Sequence, residues 1–384
     1  MFLLADLLPS PAAGTLLGGA YNTAARCKLN SLRIPIVVVQ VLSGFLTITS
    51  LHFPAALEHL LDRLSFLTQY GFFLSCVVSM TFYTTLLLVT LVPLGLAAII
   101  ATHWYLVAWL RKRRPQNMRG NRAPTVHKHS RVLIALAFYV FSITSGTIFQ
   151  TFGCSILEEV GASGTSDLRA DYSKECGTTE HRRYQAYAWC MIIVYPIGVP
   201  ALFAWLLYKK RAPDHAGGTA ETAAEQDVSS FLWQPYKPGL CRYWELVECL
   251  RRLALTGFLV FIMPGTAGQA AWSMLFAFAS IVIFMAAKPH AELSQSRQYM
   301  LGGLIIYLST TSARLEKLDY THESSQGAVG ILLALLTSAL IATGVILALH
   351  GACDARHDIG AIRDAIRNKS SNVKHTAKAV SQQS

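Results

Sequence analysis

The sequence predicts an all-α fold: a polytopic bundle of about eight transmembrane helices with both termini in the cytoplasm. Three observations predict it. First, 53% of the 384 residues are hydrophobic and only 14% are charged, against about 25% charged in soluble domains. Only lipid rewards long stretches without charge. Second, the apolar stretches come at span length between short polar blocks. Third, the net charge of +11 is carried by short basic blocks beside the apolar segments, where the positive-inside bias puts them. There is no aromatic-interleaved basic stripe of the kind nucleic-acid binders use, so no nucleic-acid partner is expected. The chain begins Met1-Phe2-Leu3-Leu4-Ala5-Asp6, with no basic n-region and an acid inside a short apolar run, which makes a poor signal peptide.

A short cytoplasmic N-terminus, 1–32, precedes a transmembrane domain over 33–350. Span one is 34–51, ended by Pro54. Residues 55–76 alternate Glu58, His59, Asp62 and Arg63 with leucines and read as an amphipathic surface segment. Span two lies in 81–110; thirty residues exceed a ~30 Å core, so it tilts or protrudes, and Pro93 kinks it. Span three is 132–151. A polar acidic segment leads to span four, 185–208, which Lys209-Lys210-Arg211 stops. The cytoplasmic linker 209–243 is rich in Ala, Gly, Thr, Glu and Asp over 212–231 and so flexible. Span five, 244–263, starts charged and ends at Pro264-Gly265. Spans six, seven and eight are 269–287, 298–313 and 327–349. The basic cytoplasmic tail 351–384 places Ile359, Ile362 and Ile366 on one face of a short surface helix.

Charge tests the layout. Residues 111–131 hold eight basic residues and no acidic one. With this topology 26 of the 33 Lys and Arg fall on the cytoplasmic side; Arg63, Arg169, Lys174, Arg182, Arg183, Arg314 and Lys317 are the seven opposite. The sequon Asn368-Lys369-Ser370 is then cytoplasmic and unused.

Cys154 and Cys176 flank a loop on the non-cytoplasmic face, where a disulfide is expected and adds about 3 kcal/mol by chain entropy. Two free thiols, with Cys76 as a competing partner, are the alternative. Asp171 and Glu175 in that loop read either as a weak cation site or as solvated acids. Trp244, Glu245, Glu248, Arg251 and Arg252 form a cluster at the cytoplasmic interface. Its functional reading is a gating or coupling element between linker and span five; its plainer reading is an ion-paired helix anchor. Trp233, Tyr236, Tyr243 and Trp244 are interfacial aromatics. Pro196, Gly198 and Pro200 break span four, either to free carbonyls for an ion path or to kink it for packing. The chain has no GxSxG, HExxH or Walker A motif and no metal-spaced His/Cys set, so no enzyme, cofactor or metal is expected.

In chain order, Gln40, Pro54, Cys76, Pro93, Cys154, the run Leu168-Arg169-Ala170-Asp171-Tyr172-Ser173 with Cys176, Tyr195-Pro196-Ile197-Gly198-Val199-Pro200, Tyr243-Trp244-Glu245, Arg251-Arg252-Leu253 and Lys288-Pro289-His290 resemble the TRP-like (transient-receptor-potential-like) membrane module of protist, algal and oomycete proteins. The resemblance covers roughly residues 30–350. Such modules often follow an extracellular region and another span; here about 30 residues precede span one. The resemblance implies an ion channel or channel-like subunit in the plasma membrane or an endomembrane, passing inorganic cations and open to homo-oligomerisation. Spans seven and eight then form the pore, with Glu316, Asp319 and Glu323 at its mouth in a connection of 13 residues, 314–326. Span six lacks Arg and Lys, so the channel is not voltage-gated. A lipid or small-molecule transporter is the alternative, and a non-conducting receptor or scaffold the second. The central parts of the spans carry no Asp, Glu, Lys or Arg, which argues against charge-coupled transport.

Overall fold

A computed structural model describes residues 30–49, 52–64, 81–113, 125–156, 166–209, 229–262, 266–318 and 326–350. Cys76, the sequon, the tail helix, Asp319, Glu323 and linker residues 210–228 lie outside the described residues.

Helix α1, Arg33–Thr49, enters from a 3₁₀ turn, Asn30–Leu32. Its six consecutive residues from Val37 to Leu42 are all buried, on every side of the helix. A helix apolar all round belongs in a core, and α1 is the hub of the bundle. Helix α2, Ala55–Arg63, turns Leu57 and Leu61 inward and leaves its polar positions outside, the amphipathic pattern expected from residue 55. Helix α3, Phe82–Arg113, and helix α4, Thr125–Gln150, pack together.

Three short antiparallel strands follow, an exception to the all-helical expectation: β1 (Cys154–Ile156), β2 (Ser166–Leu168) and β3 (Asp171–Glu175), in that order across the sheet. Cys154 pairs with Leu168 and Leu168 with Asp171. Helix α5, Thr179–Ile192, begins where the Thr178 hydroxyl accepts from the His181 N–H at 3.2 Å. It runs through a five-residue π turn, Ile193–Ile197, into α6, Gly198–Lys209. After the linker come α7 (Ser230–Trp233), α8 (Trp244–Thr256), a 3₁₀ turn (Phe258–Phe261), α9 (Ala267–Ala287), α10 (Leu293–Lys317) and α11 (Gln326–His350).

Among the described residues, five helices are long and apolar enough to cross a membrane: Phe82–Leu106, Ser130–Gln150, Thr179–Lys209, Gly268–Ala287 and Gln326–His350. They coincide with expected spans two, three, four, six and eight. Expected spans one, five and seven are α1, α8 and α10. These do not qualify, since α1 has 17 residues and α8 only 13, while α10 carries a polar face with Gln295, Gln298, Ser309 and Thr310 buried. Position explains the difference. Helix α1 packs against α8, α10 and α4, α4 also lies against α8, and the Tyr299 hydroxyl of α10 reaches Glu248 of α8. A helix enclosed by protein can be short or polar, because its neighbours replace lipid and satisfy its side chains. A peripheral helix such as α3 exposes Leu91, Leu96, Ile99, Tyr105 and Leu106; such a continuous apolar surface is tolerated in lipid and not in water. Helix α11 shows the same division, with a single inward stripe of Leu333, Thr337 and Leu340 and exposed apolar residues elsewhere.

The expected span five also ends early, at Gly257. A Cβ there would lie 2.6 Å from the Phe149 ring, so only glycine lets α8 meet α4, and the α-helix stops at that contact.

Candidate functional site

The residues of the bundle sort to two ends. At one end, the sheet ties helix termini together. The Cys154 and Cys176 sulfurs are bonded, at 1.98 Å. Arg169 Nη2 donates to the Thr49 carbonyl at 2.8 Å, closing the C-terminus of α1. The Asp171 carboxylate accepts the Phe82 N–H at 3.1 Å, at the N-terminus of α3, and the Ser173 hydroxyl at 2.6 Å. Burial opposes the Asp171 charge, but these hydrogen bonds outweigh it and hold its pKa below the usual value. The Asp171 oxygens are thus engaged by protein donors. Glu316, at the C-terminal end of α10, is half-buried close to His52 and Glu58; burial, reinforced by the Glu58 charge, raises its pKa. Of the three expected pore-mouth acids it is the one within the described residues.

At the other end lies a buried charge cluster. Helical spacing puts Glu245, Glu248 and Arg252 on the inward face of α8. Glu245 is fully buried and forms an ion pair with Arg33 at the start of α1. It also accepts the Tyr236 hydroxyl at 3.0 Å, and Arg252 Nη2 stands 3.6 Å from its second oxygen. Glu248 is held by Arg251 in a two-pronged pair, with Nε at 3.0 Å. Arg252 Nε at 3.4 Å and the Tyr299 hydroxyl of α10 at 2.9 Å complete its contacts. The Arg33 and Arg252 guanidiniums both stack on Phe138 of α4, at 4.0 and 4.1 Å from its centroid. Desolvated cation–π contacts of this kind contribute about 2 kcal/mol. Four segments therefore meet on two carboxylates: α1 through Arg33, the linker end through Tyr236, α8, and α10 through Tyr299.

The linker end is fixed beside this cluster. Tyr236 and His290 form an isolated antiparallel bridge. The Lys237 N–H donates to the Pro289 carbonyl at 2.8 Å, and the Ala291 N–H to the Pro235 carbonyl at 3.0 Å. Lys288 adopts φ 42°, the left-handed cap that ends α9. His290 stacks among Tyr236, Phe284 and Tyr299 at centroid distances of 5.2, 5.7 and 5.6 Å. Burial, together with the nearby Arg33 charge, pushes its pKa down to about 4. Burial, then the Glu245 carboxylate, pushes the Tyr236 hydroxyl well above its ordinary pKa. Trp244 packs edge-on to Phe284 at 6.0 Å.

The expected members Glu245, Glu248, Arg251 and Arg252 are thus brought together, with Trp244 alongside. Arg33, Phe138, Tyr236, His290 and Tyr299 join them, and sequence reasoning missed that role. Arg33 reads from sequence as one more flanking cation; it is buried because α8 presents a carboxylate to it. The available signal was the Lys288-Pro289-His290 motif beside two tyrosines, but their convergence needs long-range contacts.

Pro196, Gly198 and Pro200 behave differently from a double break. Pro196 lacks an N–H to donate, and the chain takes up the mismatch as one π turn through which the helix continues. A Cβ on Gly198 would lie 2.9 Å from the Ile193 carbonyl oxygen, so the turn depends on glycine. Tyr195 donates to the Thr90 carbonyl of α3 at 2.7 Å, fixing the turn against that helix.

Compared with protein-family models, with curated proteins and with solved structures, the chain returns no match.

Proposed function

We propose that this chain is a multi-pass membrane protein of TRP-like plan, a non-voltage-gated channel subunit in which the charge cluster couples the cytoplasmic linker to the pore helices. In this reading the eight spans include α1, α8 and α10 as interior members. The linker end faces the cytoplasm, and the disulfide-tied sheet faces the opposite side of a plasma membrane or endomembrane. One observation carries the reading: Glu245 and Glu248 are shared by α1, α8, α10 and the linker end. Ionisable groups buried among membrane helices are expensive and mark functional elements by default. A displacement of Tyr236 by the linker takes a hydrogen bond from Glu245, and α1 and α8 respond together. Such a shared polar contact would serve as the switching element of a gate if the linker can displace one of its partners. Both carboxylates of the cluster are ion-paired inside it, which fits ligand or tension gating better than voltage.

The test is ion flux in liposomes holding the purified full-length chain. Flux under tension, calcium or lipid stimulation supports the reading, and Tyr236→Phe should then shift the threshold. Neutralising Glu316, Asp319 and Glu323 should alter cation selectivity. No flux under any of the three stimuli refutes the channel; lipid scrambling in the same vesicles would assign the chain to lipid transport instead.

A further inference from the structure

The charge cluster lines a partly open cavity of about 30 Å³ between α1, α8, α10 and the Pro235–His290 junction. We infer that this cavity binds one small monovalent anion of halide size.

The first ground is charge. Arg33, Arg251 and Arg252 line the cavity, and Glu248 is the carboxylate on its wall. Glu248 is already engaged by Arg251, Arg252 and Tyr299. Counting Glu245 as well, three guanidiniums face two carboxylates among the described residues. A surplus positive charge away from water is costly unless an opposite charge meets it. One univalent anion restores balance; a cation increases the surplus.

The second ground is an orphaned donor. His290 lines the cavity and is 7% exposed; the Pro235 backbone lies beside its ring, but neither Nδ1 nor Nε2 makes a hydrogen bond of ordinary geometry. A neutral imidazole always carries one N–H, and buried donors are seldom left unmade. An anion facing one ring nitrogen of His290 takes that hydrogen bond in the tautomer that places the N–H there. Further donors are at hand. A guanidinium has five N–H groups, and the bonds described use two on Arg33 and two on Arg251.

The third ground is size. The cavity, about 30 Å³, has room for a small ion among its polar groups. Val37 and Val38 supply apolar walls, which suit a weakly hydrated ion such as chloride or bromide. The inference rests on the cluster's geometry and is independent of channel activity.

The test uses the full-length chain in detergent, melted in sodium chloride, bromide or gluconate at constant ionic strength. The expected result is a saturable rise of about 2–4 °C with chloride or bromide and none with gluconate. His290→Phe should abolish the halide-dependent rise. Crystals soaked in bromide should show one anomalous peak between His290 and the arginines. Equal melting in chloride and gluconate, or a water and no bromide at that position, overturns the inference. If His290→Phe does not fold, the salt comparison and the bromide peak on the unaltered chain decide the matter.

Discussion

Glu245→Gln is the most informative single change. It keeps the volume but turns one accepting oxygen into an N–H donor and removes one of two carboxylates from a site with three guanidiniums. Glu245 is completely buried and holds Arg33, Tyr236 and Arg252. Removing one partner from a buried ion pair costs about 3–5 kcal/mol, because the remaining charge stays buried and unmatched. At roughly 2–4 °C per kcal/mol, the melting temperature should fall by about 6–20 °C. Arg33→Met should cost less. It leaves Glu245 with Tyr236 and Arg252 and returns the cluster to two arginines against two carboxylates. The pair Arg33→Met with Glu245→Leu should recover part of the Glu245→Gln loss, since apolar replacement of a whole buried pair is often neutral. The assay is thermal unfolding of the detergent-purified chain by intrinsic fluorescence, arranged as a double-mutant cycle. A Glu245→Gln loss under about 0.5 kcal/mol, or an Arg33→Met loss exceeding it, would refute the account of a shared buried carboxylate.

The other predictions concern the remaining elements. Replacing Cys154 and Cys176 together with alanine should lower stability by about 3 kcal/mol, read as an earlier midpoint in denaturant; an unchanged midpoint would show that the sheet holds without its bond. Gly198→Ala should cost about 1–3 kcal/mol, because its Cβ would meet the Ile193 carbonyl oxygen at 2.9 Å; a neutral result would mean the π turn relaxes without penalty. His290 titrates at about 4 in the folded chain against about 6.5 unfolded. The unfolded chain therefore binds more protons between those values, and stability is full above about pH 6.5 and falls toward pH 4, by at most about 1.4 kcal/mol per pH unit. His290→Phe should flatten that acid limb; a wild-type slope in the variant would assign it to other groups. Asp171 has a depressed pKa, so its contribution is present above the unfolded value near 3.9 and lost as pH falls through the folded one. Asp171→Asn should therefore weaken the chain at neutral pH more than at strongly acid pH, measured by the same melts.

Much of this protein was legible in its sequence because lipid imposes a one-dimensional rule. A helix facing lipid must be apolar over its whole crossing, and the helices at 82–106, 179–209, 268–287 and 326–350 each hold an apolar stretch long enough to satisfy it. The amphipathic α2 and the pairing of Cys154 with Cys176 were also readable, from local pattern and from loop position. Where protein replaces lipid the rule lapses. Helices α1, α8 and α10 were the shortest or most polar of the expected spans, and nothing in their own residues says that they form the centre. Arg33 shows why. Beside Arg26 and Lys28 it is one more flanking cation, and only the approach of Glu245, 212 positions away, makes it a buried ion-paired group. Composition and charge bias determined that this chain lives in a membrane, since transfer free energy is nearly additive along the chain. The tertiary structure decided which charges leave water together, because the cost of burying a charge depends on which partner meets it.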